Sequence, residues 1–121
     1  FEKEEISIEE IEHLDELKHE LESIEVIEID HFVAIIEEIA KELKFILEFK
    51  NLNYAFNNLA ILLKSSSLEK EDILLILDEL RKDIIDWIDV VFIEKTAQDV
   101  HYFDASFLSN ITLIEAFFEE K

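Results

Sequence analysis

Glycine and proline are both missing from the 121 residues, and so are cysteine and methionine. An average protein uses about 7% glycine and 5% proline, so the first two absences carry information. The hairpin turns of β-sheets depend on positive φ, which glycine supplies most cheaply. Helices joined by Asn, Asp and Ser turns can do without either residue, and the chain therefore reads as all-α. The lack of glycine also removes phosphate-binding loops, dinucleotide fingerprints and EF-hands, each of which needs glycine at fixed places. The lack of cysteine removes disulfides, thiolate metal sites and a cysteine nucleophile, which suits a cytoplasmic location. No apolar run approaches the roughly 18–20 residues of a membrane span, and no signal peptide is visible at the acidic N-terminus. With Phe1 in first place and no methionine, one domain of a longer protein is expected.

What is present is a full complement of core residues under an acidic surface. Half of the residues are hydrophobic, and the net charge is −20 from 31 acidic against 11 basic side chains. A chain of this size is one domain, long enough to bury roughly two-thirds of its unfolded surface. We expect a single helical-bundle domain over residues 1–121. Nucleic-acid binding rests on Lys and Arg neutralising phosphates, and attraction to an anionic membrane rests on the same side chains. Both are excluded as expectations. A basic protein, a second copy of the chain or a divalent cation remains as partner.

The helices can be placed from caps and stripes. Ser7-x-x-Glu10 is a capping box with Ile6 and Ile11 as its hydrophobic staple, so a first helix starts here. Its apolar stripe is Ile8, Ile11, Leu14, Leu17, Leu21 and Ile24. β-Branched residues between Ser23 and Asp30 weaken the pattern, and Asp30 is a candidate N-cap for a second helix. An unbroken helix from there to Lys64 would be about 50 Å long, too long for the first to cover. Asn51 and Asn53 suit a break, which divides it into about 31–50 and 53–64. Ser66-x-x-Glu69 caps a fourth helix with Ile73, Leu77, Leu80, Ile84, Trp87 and Val91 on one face. Its end, IIDWIDVVFI, is apolar nearly all round. Thr96-x-x-Asp99 resembles the cap of a last helix, whose stripe is Val100, Phe103, Phe107, Ile111, Ile114 and Phe118. The expected architecture is a mostly antiparallel bundle of four long segments, five helices once the asparagine break is counted.

Three of the four histidines follow a glutamate at Glu-x-x-His spacing: Glu10/His13, Glu16/His19 and Glu28/His31. Residues i and i+3 share a helix face, so such pairs could contribute to a carboxylate-histidine metal site. His13 and His19 flank the apolar stripe of the first helix instead of interrupting it, so surface histidines are the simpler reading. No metal site and no cofactor are expected. His101 belongs to a separate group, with Tyr102, Asp104 and Ser106 beside it. A histidine fixed by a carboxylate can act as base or phosphoryl acceptor, which makes His101 the candidate for histidine phosphotransfer. Phosphotransfer bundles usually carry His-x-x-Lys-Gly, and no histidine here is followed by lysine three places on. A Ser106–His101–Asp104 triad would sit within two helical turns with no oxyanion hole. Asp83, Asp86 and Asp89 form a stripe through IIDWID. It is either a solvated edge or an acidic rim around a docking patch centred on Trp87, a residue type enriched at interface hot spots.

The segment DWIDVVFIEKTAQDVHYFDASFLSNITLIE, residues 86–115, resembles helical domains of bacterial two-component and chemotaxis-type signalling proteins. The residues that carry the likeness are Trp87, Phe92-Ile93-Glu94, Gln98 to Tyr102 and Asp104-Ala105-Ser106. The resemblance implies a signalling context and assigns no active site. The function expected from all of this is a non-catalytic protein–protein interaction or dimerisation module in bacterial signal transduction. Its interaction-surface candidates are His101, Tyr102, Asp104, Ser106 and Trp87. A histidine phosphotransfer domain, an acidic inhibitor or immunity-type bundle and a carboxylate-histidine metal protein are the alternatives.

Overall fold

The computed structural model describes residues 8–24, 28–44, 46, 49–64, 71–94 and 101–119, with backbone alone at 71–73 and 117–119. The described chain is all-α. It comprises α1 (Ile8–Ser23), α2 (Ile29–Leu43), α3 (Lys50–Lys64), α4 (Glu71–Ile88), a π-helical turn (Asp89–Ile93) and α5 (Asp104–Glu119). The expected caps at Ser7, Ser66 and Thr96 lie outside the described residues, as do Val100 and the side chains of Ile73 and Phe118. No helix among the described residues is long and apolar enough to cross a membrane.

Pairs of cross-links set the directions of the helices. Asn53 reaches the Ala40 carbonyl and Lys64 reaches Glu37, so α2 and α3 run antiparallel. Lys18 meets Asp89 and Arg81 meets the Leu21 carbonyl, so α1 runs antiparallel to α4 and the π turn. α1 also packs on α2, and α5 packs on both α3 and α4.

The stripes read from the sequence are the buried faces. Leu14, Leu17, Leu21 and Ile24 are buried on α1, whereas Ile8 at its start is exposed. Leu77, Leu80, Ile84, Trp87 and Val91 are buried from α4, and Phe103, Phe107, Ile111 and Ile114 from the α5 segment. Six aromatic rings close one end of the core. Trp87 stacks on Phe103 at 5.2 Å, meets Phe49 and Phe92 edge-on, and lies against Phe56. Phe107 completes the group at 4.5 Å from Phe56. Edge-to-face and offset contacts of this kind add to the area the rings bury.

Three boundaries differ from the expected ones. Asp30 lies in the first turn of α2, and Glu28 occupies the cap position without a side-chain cap bond. The break between α2 and α3 falls at 44–49, before Asn51 and Asn53, which are both inside α3. Lys44, Ile46 and Phe49 donate their backbone N–H to residues three back, Lys41, Leu43 and Ile46. In such a tightened path side chains i and i+3 eclipse. Leu43, Ile46, Phe49 and Leu52 are accordingly all buried, at a spacing of three. α5 begins at Asp104, and His101–Phe103 form a turn where continuous helix was expected.

The all-round apolar run IIDWIDVVFI is accommodated by the π turn. The Glu94 N–H donates to the Asp89 carbonyl five residues back, at 2.7 Å. The wider turn buries Ile88, Val91 and Phe92 together, beside Ile84 and Trp87.

Helix ends are closed from neighbouring helices. The Asn53 Nδ2 donates to the Ala40 carbonyl in the last turn of α2, at 2.6 Å. The Arg81 Nη1 donates to the Leu21 carbonyl in the last turn of α1, at 3.0 Å, and Asp78 holds the rest of the guanidinium. Burial works to raise the Asp78 carboxyl, but hydrogen bonds from Arg81 and Lys82 outweigh it and hold the group below its usual range.

Truncating Trp87→Ala is expected to cost about 3–5 kcal/mol of unfolding free energy. Asn53→Ala, which leaves the Ala40 carbonyl without its donor, is expected to cost about 0.5–1.5 kcal/mol. Urea unfolding of the two variants beside the parent chain measures both.

Candidate interaction surface at the start of α5

The turn before α5 gathers most of the residues singled out from the sequence. The Asp104 N–H donates to the His101 carbonyl at 3.1 Å, so the chain enters the helix through a tight turn. Asp104 is then the only acidic residue in the first turn of α5, where a carboxylate complements the positive end of the helix. Its Oδ2 lies 2.9 Å from His101 Nδ1. The pair is therefore a real contact, made between turn and helix and not along one helix face. The His101 ring also leans on Phe49, 5.8 Å between centroids, which ties the turn to the aromatic end of the core.

Tyr102 projects outward, and its hydroxyl donates to Asp86 Oδ2 on α4 at 2.7 Å. Its phenol is held well above its ordinary range, first by burial of the hydroxyl and then by Asp86 and Asp83. Tyr102, Phe103 and exposed Ser106 face Asp83 and Asp86 across a shallow cleft of about 230 Å³. Asp83 is raised above the usual carboxylate range by burial, and further by Glu79 and Asp86 beside it. The cleft thus holds negative potential from its two neighbouring carboxylates.

Trp87 does not belong to this surface. It is fully buried, so the docking patch centred on it is corrected to a core position. The Asp83–Asp86–Asp89 stripe is divided as well. Asp89, the first residue of the π turn, accepts from Lys18 of α1 at 3.2 Å, while Asp83 and Asp86 line the cleft. The Asp86–Tyr102 link joins residues 16 apart on two elements, and no short-range spacing signals it.

The Glu-x-x-His pairs mostly dissolve. His13 contacts Glu42 of α2, and His19 sits between Asp15 and Glu22. His31 keeps its partner Glu28, at 3.6 Å. Among the described residues no group of three or more His, Asp or Glu converges as a metal site would require. Ser106 is exposed beside the His101–Asp104 pair, and no hydrogen bond joins it to His101 among the bonds described.

No family model matches this chain, and no curated protein or solved structure matches it.

The raised Asp83 has a consequence for stability. A carboxyl that binds its proton more tightly in the folded chain adds stability as pH falls through its folded pKa. That contribution is lost as pH rises above it, where the buried anion is a penalty. Asp83→Asn is expected to raise the melting temperature at neutral pH. The advantage should shrink as pH falls towards the ordinary aspartate value of 3.8. Thermal melts of both chains across that range measure the difference.

Proposed function

We propose that this chain is a non-catalytic protein–protein interaction module that docks a basic protein segment at the α4–α5 cleft. The observation that carries the reading is the cleft itself: Asp83 and Asp86, neighbours on one face of α4, line it together with the exposed Tyr102. Two carboxylates held close together in partly buried surroundings are relieved by an incoming lysine or arginine, and an exposed aromatic face attracts the same cation. The surrounding charge of −20 steers a basic partner towards the surface. The sequence likeness of residues 86–115 supports a setting in bacterial signal transduction, and the absence of cysteine supports the cytoplasm.

A lysine-leucine peptide titrated into the chain tests the cleft. The peptide is expected to bind with an affinity that falls as salt rises. Asp83→Asn/Asp86→Asn should weaken it by about tenfold, about 1.4 kcal/mol. Glu9→Gln/Glu12→Gln removes the same charge from α1 and serves as the control. Equal weakening by both pairs would assign the binding to net charge alone and overturn the cleft.

Histidine phosphotransfer is the second reading, favoured by the His101–Asp104 contact at 2.9 Å. A carboxylate on Nδ1 orients the ring and leaves phosphorylation chemistry to Nε2. Incubation with a phosphorylated response regulator, with His101→Gln as control, should then give an acid-labile phosphate on the parent chain alone. No such phosphate on either chain rejects this reading.

A further inference from the structure

The acidic residues are unevenly distributed over the helices. α1 carries Glu9, Glu10, Glu12, Asp15, Glu16, Glu20 and Glu22 against a single lysine. α3 carries no Asp or Glu at all. Its two cations are Lys50 and Lys64, and Lys64 is engaged with Glu37 at 2.9 Å. α5 has no charged residue between Ala105 and Ile114. These two helices adjoin through Phe56 and Phe107. Both expose large hydrophobic side chains that do not line the α4–α5 cleft: Tyr54 at 61% and Ile61 at 63% on α3, and Leu108 at 48% on α5.

We infer that the outward faces of α3 and α5 form the contact between two copies of this chain. The inference rests on the reading of the chain as an interaction module, but it uses a different face from the α4–α5 cleft, so the two fail separately. The choice of a second copy follows from charge. Two molecules of net charge −20 repel wherever carboxylate meets carboxylate, within a Debye length of about 8 Å at physiological salt. Meeting through α1 or α4 would desolvate like charges, which costs several kcal/mol. Meeting through α3 and α5 brings Asn, Ser, Thr, Tyr, Ile and Leu together and buries no carboxylate from the central stretch of either helix. A two-fold contact presents the same surface from both sides, so a face free of acidic residues on one copy meets its like on the other. A basic partner has the opposite preference and is drawn to α1 and α4.

The size of the face sets the strength. Helices of 15 and 16 residues are about 22–24 Å long, and two lying side by side span about 20 Å. That footprint is at the low end for a specific dimer, near or below the usual 800 Å² per partner. A weak dimer in the range of tens to hundreds of micromolar is therefore expected.

Sedimentation velocity over a series of concentrations tests this. The chain should pass from monomer to dimer as concentration rises, and added salt should strengthen the dimer by screening the residual repulsion. Ile61→Glu/Leu108→Glu changes only exposed positions, so its melting temperature should stay near that of the parent while association weakens at least tenfold. Asp83→Arg, on the α4 side of the cleft, should leave the dimer intact. A strict monomer at all concentrations and salts overturns the inference, as does a dimer that the Ile61/Leu108 pair leaves unchanged. Loss of the dimer in Asp83→Arg alone moves the contact to the cleft, which overturns this face and keeps the interaction reading.

Discussion

Every α-helix leaves its last four carbonyls without intrahelical partners, and roughly a third to a half of helices close that end with a left-handed residue, usually glycine. This chain has no glycine to spend there. Its C-terminal cap residues Lys44 and Glu94 stay right-handed, and donors are brought from outside the helix. Arg81 on α4 closes the end of α1, and Asn53 on α3 closes the end of α2. Local structure and tertiary structure are thereby made interdependent. The end of α1 is completed by the antiparallel placement of α4, and the end of α2 by the return of α3. α1 has no basic residue of its own in the last turn, so the favourable charge at its negative end is also Arg81's.

The aromatic end of the core imposes the second constraint. Phe49, Phe56, Trp87, Phe92, Phe103 and Phe107 come from three helices, the π turn and two connecting turns. Close packing of six rings permits little slack, and the backbone gives way where it must. The chain tightens between Leu43 and Phe49 and widens between Asp89 and Ile93. The His101–Phe103 turn is fastened to the same cluster through Phe103 and through the His101 ring on Phe49. The candidate surface therefore stands on the aromatic part of the core, although it is built on a turn.

Fold class and core were legible because they rest on absence and on period. The missing glycine and proline pointed to helices, and each apolar stripe whose side chains are described proved to be a buried face apart from its exposed or half-buried outermost residues, Ile8 and Ile11. The break between α2 and α3 was misplaced because asparagine has two uses. It can end a helix, and it can cap the end of another one, which is what Asn53 does. The signal that would have placed the break was the run of threes through Leu43, Ile46, Phe49 and Leu52. At the site, the His101–Asp104 contact followed from spacing, but Trp87 was assigned to the surface because hot-spot enrichment says nothing of depth. Asp86 and Tyr102 could not be joined from sequence, since their contact depends on where α5 starts relative to α4.

The π turn also acts as a phase shifter. An i→i+5 bond holds one residue more than the α-helix would, and one residue is worth about 100° of rotation. The residues from Asp89 to Ile93 therefore turn through a wider circle than those of α4. Asp89, at the start of the turn, meets Lys18 of α1, while Asp83 and Asp86 line the cleft. A version of this domain shorter by one residue in that stretch would regain a regular helix. It would hold one residue fewer in the stretch where Ile88, Val91 and Phe92 are buried together.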